Sequence, residues 1–520
     1  MKKTYYLIIL FLIGLFLYSA NIWGISIYSL DEAKNATCAK EMIERGDYIV
    51  PTFNYELRTD KPPMHYYFMI VAYKLFGFNE FSARVFSSLF GFFTLILTFL
   101  FTKKVLGEKT ALLASLVLIS SLHASLQFHM AVPDPYLIFY LNGVFFSFYL
   151  WYKEKKEKFV YTMYTFIGLG ILTKGPVAVV LPSLIIFLFL VYTHTLNLQT
   201  IKQLRLLRGT LIILTISLPW YIAVGLKTDW VWVYEFIFKH NLHRFSNSME
   251  GHGGIFILPF LFVFFGLLPF SVFFVQAFLK AWQNKYKEVL VYLMIVSLVY
   301  IGFFSVSGTK LPNYTTPTYP ALSILLGYFL ANFSLEKNKK LYINASIVTL
   351  IILSVVISIG VAIGIKNEKP VADLFYLGAV FSLWAFGGIT ALLTIRKSTN
   401  LAIGSIAVSS IVLITVFFFY TFPKIDKRNP VVTMLPLIEK GKPVAYYRGF
   451  NPAFAFYLGT PIPKLKTPTD VEKFLSNNQR VYVLTRKKYL KDLKAVKNIK
   501  ILSIRKDLFE KTSSVLISNR

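Results

Sequence analysis

INASIVTLIILSVVISIGVAIGI, residues 343–365, decides the fold class. It carries no Asp, Glu, Lys or Arg, and as a helix rising 1.5 Å per residue it reaches roughly 35 Å, enough to cross a hydrocarbon core about 30 Å thick. A helix apolar on every side is at home in lipid or deep inside a large protein. Similar runs recur along all but the last fifth of the chain. Of 520 residues, 55% are hydrophobic and 17% aromatic, and the mean hydropathy is +0.57. Hydropathy predicts about thirteen transmembrane spans, near 5–23, 81–101, 110–127, 136–152, 159–173, 176–193, 208–226, 254–280, 288–306, 315–333, 341–365, 371–395 and 401–422. The chain thus reads as a polytopic α-helical membrane protein. The first span follows Lys2 and Lys3 and shows no small-residue cleavage site near Gly24, so it is expected to be retained.

The connecting loops fall into two sets. One is rich in cations: Lys103, Lys104 and Lys109; Lys153 to Lys158; Lys202, Arg205 and Arg208; Lys285 and Lys287; Lys337 to Lys340; Arg396 and Lys397. These occupy every second loop, in phase with Lys2 and Lys3, and the positive-inside rule puts them and the amino terminus in the cytoplasm. Much of the net charge of +29 lies here and in the carboxy-terminal tail, as suits anionic headgroups, and a nucleic-acid partner is not expected. From residue 423 to 520 the hydropathy falls. Strand-like Pro443–Tyr447 and Arg480–Thr485 and helix-like Pro468–Ser476 predict a small soluble α/β domain there, beyond a transmembrane domain of 1–422. An odd number of spans places it outside. The single cysteine, Cys38, excludes an internal disulfide.

The second set of loops carries the chemistry. The first outer loop, about 24–80, contains an amphipathic stretch, Leu30–Arg45, suited to a helix lying on the bilayer. Asp31 falls at its start, where an acid serves either as a helix cap or as a site carboxylate. Arg58-Thr59-Asp60-Lys61-Pro62-Pro63 follows, its two prolines keeping Lys61 out of helix and stiffening the turn. There Lys61 can bind phosphate or lie along the surface. Asp134 stands between Pro133 and Pro135. Asp31, Glu32 and Asp134, with Lys61, Lys174, Arg244 and Lys310 all on one face, form a mixed cluster able to hold a phosphate ester while activating an acceptor. His240, His243 and His252 lack zinc-site companions, and neither a Walker sequence nor a dinucleotide fingerprint is present. A transporter would need ionisable groups at mid-span, and the spans are nearly free of them.

Leu30-Asp31-Glu32-Ala33, Asp60-Lys61-Pro62-Pro63, His129-Met130-Ala131-Val132-Pro133-Asp134, Leu172-Thr173-Lys174-Gly175-Pro176, Arg244-Phe245 with His252, and Ser307 to Tyr314 closely resemble the lipid A aminoarabinose transferases. These belong to the protein O-mannosyltransferase-like branch of the GT-C glycosyltransferases. The resemblance runs in order from the first span to about Gly327. It implies a GT-C fold and inverting transfer of a sugar from a polyprenyl-phosphate donor to lipid A or a related glycolipid at the outer face of a bacterial inner membrane, with a protein or other glycan as the alternative acceptor. It makes Asp31 the principal catalytic carboxylate, with Asp134 and Glu32 beside it. Lys61 and Arg244 become the ligands of the donor phosphate, assisted by Lys310, Tyr314, Lys174 and Lys34. It allows a divalent metal, with Asp60 and His252 as ligands, and a monomer without nucleotide cofactor. Two departures stand out: Asp60 replaces the usual Glu before Lys-Pro-Pro, and Lys34 the usual Arg, which forfeits bidentate phosphate recognition.

Overall fold

The computed structural model describes residues 2–246, 253–332 and 337–520. Helices dominate as far as residue 434. They open with α1 (Lys2–Ser19), α2 (Leu30–Arg45), α3 (Met64–Phe76), α4 (Glu80–Leu106), α5 (Glu108–Ile119), α6 (Leu122–His129), α7 (Asp134–Glu154), α8 (Glu157–Lys174) and α9 (Val177–Tyr192). Each span read from hydropathy falls on helical segments, but 110–127 and 254–280 each cover two helices, bent by 67° and 114° at the break. Among the described residues, six helical stretches suffice by length and composition to cross a membrane, or up to eight if two bent pairs each count as one span. Several of the others are short, and α8 carries Glu157, Lys158 and Lys174 within its 18 residues.

The bundle has two chemically distinct ends. At one, Glu154 at the end of α7 pairs with Lys104 and Lys156, Arg205 reaches Glu157 at 2.6 Å, Tyr152 donates to Glu288 at 3.0 Å and Lys109 to the Ala331 carbonyl at 2.9 Å. The cation-rich loops therefore meet one another. At the other end of α7, about 30 Å away by helical rise, Asp134 meets Lys174 and the motif loops.

On that second end lies the first long loop. Helix α2 starts after Ser29, with Asp31 and Glu32 in its first turn complementing the helix dipole, and stops at Gly46, whose φ of 64° closes the last turn. Ala33, Ala36, Cys38, Ala39 and Met42 are buried, and so are the polar Asn35, Thr37 and Glu41, so most of the helix is covered. The strands β1 (Thr52–Phe53) and β2 (Glu56–Leu57) form a hairpin whose Asn54 and Tyr55 both have positive φ, as a primed turn requires. The buried Glu41 carboxylate holds that turn, accepting from Thr52 Oγ1 (2.6 Å) and from the backbone N–H groups of Asn54 (2.6 Å) and Tyr55 (3.0 Å).

The carboxy-terminal region forms a five-stranded mixed sheet of β3 (Val444–Tyr447), β4 (Lys464–Leu465), β5 (Tyr482–Arg486), β6 (Lys500–Lys506) and β7 (Ser513–Ser518), in the order β4-β3-β5-β7-β6. β3, β5 and β7 are almost wholly buried, hence their unbroken apolar runs. The helix Pro468–Leu475 begins with a capping box between Thr467 and Asp470. This region is clamped to the first loop. The Asn54 amide donates to and accepts from the Ile462 backbone, both at 2.9 Å, Tyr457 Oη donates to Glu80 at 2.9 Å, and the Leu508 N–H donates to Tyr28 Oη at 3.0 Å.

Candidate active site

Where the motif loops converge, a cavity of about 370 Å³ is walled by apolar and aromatic side chains such as Val180, Phe236 and Phe304, with Lys61, Asp134, Lys174, Arg244 and Tyr314 among its polar lining. One wall is a π-helix, Glu235–His243. Its i to i+5 bonding widens each turn, so Phe236, Ile237, His240 and Asn241, and then Arg244 just beyond it, all reach the cavity. The Asn241 amide donates to the Phe236 carbonyl at 2.7 Å.

Asp134 is the first residue of α7, but its side chain does not cap that helix. Its Oδ1 accepts from Lys174 Nζ at 2.7 Å and from the Asn313 amide at 3.0 Å, while Lys174 lies over the Tyr314 ring at 5.0 Å. Three motif loops are thereby locked together by one carboxylate. Lys174 is thereby paired with Asp134, and Lys61 and Arg244 are the other cations that line this cavity.

A second cavity, about 440 Å³, adjoins Arg244 from the other side and is lined by Asp31, Leu311 and Phe422, together with Leu508, Phe509 and Glu510 from the carboxy-terminal region. Arg244 lines both cavities. The N-cap of α2 is Ser29, so Asp31 lies within the first turn and presents its carboxylate to this cavity. Partial burial pushes the Asp31 carboxyl up, but Lys61, Arg58 and Lys34 outweigh that and the opposing Asp60, holding it below the ordinary 3.8. Asp31 is therefore ionised at neutral pH.

Several residues depart from expectation. Glu32 lines neither cavity. Its two oxygens accept from Arg84 Nε (2.6 Å) and Nη2 (2.9 Å), and Oε1 also from the Ala131 N–H (2.9 Å), so it ties α2 to α4 and is structural, not catalytic. Lys310 also lines neither cavity: its Nζ turns back to the Ser307 carbonyl at 2.6 Å. Lys34 stands near enough to act on the Asp31 carboxylate but lines neither cavity. Asp60 lines the first cavity but is engaged by Arg58 through Nε (2.5 Å) and Nη2 (3.1 Å). Burial pushes its carboxyl up, and Arg58, Lys61 and His240 together drive it far below 3.8. Among the described residues no three His, Cys, Asp or Glu side chains stand together as a metal would need, and His252 lies outside them. Both Asp60 oxygens are engaged by Arg58, so Asp60 is not set up as a metal ligand.

Sequence reasoning missed the supports of the site. Arg58 is buried, and its carbonyl accepts from Trp232 Nε1 at 2.7 Å. Thr59 Oγ1 donates to Glu235 at 2.6 Å and contacts His240 Nε2 at 3.2 Å, anchoring the π-helix to the rigid turn. Burial and the cations Lys61, Lys239 and Arg244 lower the His240 imidazole, Asp60 opposing, which keeps it neutral at pH 7. The one available signal was the charge of Arg58 and Arg84 beside apolar runs.

Residues 60–222 match the family described as dolichyl-phosphate-mannose-protein mannosyltransferase. An uncharacterized protein of Aquifex aeolicus is 31% identical over 354 residues, 68% of this chain and 79% of the relative. The undecaprenyl phosphate-alpha-4-amino-4-deoxy-L-arabinose arabinosyl transferase of Yersinia pestis is 28% identical over 397 residues, 72% of this chain and 69% of that protein. In fold, the chain is similar to ArnT from Cupriavidus metallidurans bound to undecaprenyl phosphate, with a TM-score of 0.84, 20% identity and coverage of 99% of this chain and 98% of that one. The matching family model and relatives alike over two thirds or more of their own length make this chain a glycosyltransferase of the GT-C class, belonging to the aminoarabinose-transferase-like family related to the protein O-mannosyltransferases, and the shared fold agrees.

Proposed function

We propose that the protein transfers a sugar from a polyprenyl monophosphate to a lipid A-type glycolipid, with inversion, at the outer face of a bacterial inner membrane. The observation that carries this reading is the shared guanidinium: Arg244 lines the apolar cavity with Lys61 and also the cavity onto which Asp31 opens. A phosphate held by Lys61 and Arg244 in the first cavity lies beside an acceptor in the second. The acceptor oxygen attacks the anomeric carbon, the bond from that carbon to the phosphate oxygen breaks, and its electron pair stays on the departing polyprenyl phosphate. Fixed cations aimed at that oxygen stabilise the charge that develops on it. A hydroxyl acceptor passes its proton to the Asp31 carboxylate. Asp134, held by Lys174 and Asn313, keeps the loops that bear these groups in register. The apolar walls of the first cavity suit a prenyl chain, which explains why the enzyme is built in a bilayer.

In this reading the chain crosses the membrane thirteen times as a monomer, with the amino terminus cytoplasmic and residues 423–520 periplasmic. A reporter fused after Phe422 is expected to report an extracytoplasmic location, and Cys38 belongs to the same side; a cytoplasmic signal would undo the sidedness and the shared site with it. Purified enzyme in nanodiscs is expected to use a synthetic polyprenyl-phosphate sugar and to ignore nucleotide sugars. Arg244→Lys keeps the charge but loses the two-pronged grip on phosphate, so donor affinity should fall, and fall further in Arg244→Ala. Efficient transfer from a nucleotide sugar, or indifference to substitution of both Arg244 and Lys61, would show that the donor site is misplaced.

A further inference from the structure

At the motif end of the bundle, where the helical stretches Lys369–Thr394 and Thr399–Asp426 come together, a cationic cluster faces away from both cavities. Lys424 belongs to the short helix Phe422–Asp426. Phe422, Ile425 and Asp426 line the second cavity, whereas Lys424 lines neither. Its Nζ donates to Tyr420 Oη at 2.7 Å and to Tyr376 Oη at 3.0 Å, and it lies over both rings, 4.0 and 5.5 Å from their centroids. Tyr420 and Tyr376 are 48% and 45% exposed and also line neither cavity.

Two uncommon helical forms build this cluster. Tyr376 stands in a 3-10 helix of 14 residues, Lys369–Ser382, although runs longer than about 3–4 residues are uncommon because the hydrogen-bond geometry is poor. Tyr420 stands in a π-helix, Phe417–Thr421, that follows directly on the α-helix Thr399–Val416. Short π-helical insertions of this kind gather at functional sites.

The cluster is left with unused donors. A lysine ammonium has three N–H groups and a tyrosine hydroxyl one O–H. Both tyrosine oxygens accept from Lys424, so their own protons point away from it. Even with one hydroxyl turned to the other, the second hydroxyl proton and the third ammonium N–H remain for a ligand. Among the described residues no carboxylate pairs with Lys424. The acids nearby are engaged elsewhere: Asp373 by Arg428 at 3.1 Å, Asp426 by Ser26 Oγ at 2.6 Å and the Asn429 amide at 3.0 Å, and Glu368 by Lys506 at 2.5 Å.

The surroundings narrow the ligand. Phe375 and Phe419, each next to one of the tyrosines, are exposed, as is Trp23, whose ring lies 6.5 Å from that of Phe419. Tyr and Trp collect at headgroup level in a bilayer, where phosphate oxygens are abundant acceptors. An ammonium and a phenol hydroxyl held side by side there suit the oxygens of a phosphodiester, and charge-assisted bonds are the stronger class. Because the cluster lines neither cavity, a lipid bound to it lies outside both, in the bilayer.

We propose that Lys424, Tyr376 and Tyr420 bind the phosphate of a bilayer phospholipid, and that this lipid braces Phe422–Asp426, part of the wall of the second cavity. The test uses full-length enzyme stripped of lipid in detergent and given phosphatidylglycerol or, as a control with the same chains and no phosphate, diacylglycerol. Native mass spectrometry is expected to show phosphatidylglycerol retained by the wild type and held about tenfold more weakly by Tyr376→Phe/Tyr420→Phe and by Lys424→Met. The double variant keeps both rings beside Lys424, so without lipid its unfolding midpoint should match that of the wild type. Added phosphatidylglycerol should raise the wild-type midpoint more than the variant's, a difference that packing alone would not produce. Equal retention by the wild type and both variants, or diacylglycerol held as tightly as phosphatidylglycerol, would overturn the site. Tighter retention of lipid A than of phosphatidylglycerol by the same residues would give them to the acceptor and overturn the choice of a bilayer phospholipid.

Discussion

Asp31→Asn is expected to lower turnover by roughly 10²-fold or more, the scale of a lost general base, while the protein still folds and inserts. The substitution keeps the size of the side chain and removes its charge. Its structural cost is small because Ser29, not Asp31, occupies the N-cap, so only a favourable term with the helix dipole is lost, at most about 1 kcal/mol. The wild-type pH profile supplies a second check. Because neighbouring cations hold the Asp31 carboxyl below 3.8, its base form persists as pH falls through the ordinary carboxylate range. Transfer should therefore show no loss from Asp31 protonation between pH 7 and pH 5. Near-normal turnover by a well-expressed Asp31→Asn enzyme would take Asp31 out of the mechanism.

The largest stability effect is expected from Arg84→Leu. The Arg84 guanidinium is 4% exposed and gives two bonds to Glu32 and three to the carbonyls of Ile22, Ile25 and Ser26. Removing it orphans those carbonyls and leaves a buried carboxylate with the Ala131 N–H alone. Breaking such a pair from one side costs about 3–5 kcal/mol. Thermal unfolding in detergent, followed by fluorescence of a label on Cys38 exposed by unfolding, should show a large drop in midpoint for Arg84→Leu and a smaller one for Glu32→Gln, which keeps shape and one acceptor. Equal midpoints for wild type and Arg84→Leu would mean that the pair contributes nothing to the native state.

Asp31 and Glu32 also mark where sequence reading stops. Both are acids in one motif at one end of the bundle, and hydropathy with charge phasing was enough to gather that motif with Lys61, Asp134, Lys174 and Arg244. Adjacent residues of a helix point about 100° apart, so the two carboxylates of α2 cannot both face one cavity. Which of them does depends on the partner that α4 supplies, 52 residues away. Lys310 shows the same limit on a smaller scale, since only coordinates reveal that its ammonium folds onto the Ser307 carbonyl. The apolar helical stretches were legible because apolar length is a one-dimensional property, but where a stretch breaks or bends was not. The second cavity was not, because its walls come from residues 28–31, 244, 311, 422–426 and 508–510, and no local pattern announces such a meeting.

The clamp between Asn54 and Ile462 and the bond from Leu508 to Tyr28 join positions 408 and 480 residues apart. Contacts of such long range form late, because the intervening chain must exist and be placed before they can close. During synthesis, at about 5–20 residues per second, the hairpin at Asn54–Tyr55 and the start of α2 thus wait tens of seconds for their partners. A nascent chain that already has all its membrane helices still lacks the wall of the second cavity formed by Leu508, Phe509 and Glu510 until its final strands have docked.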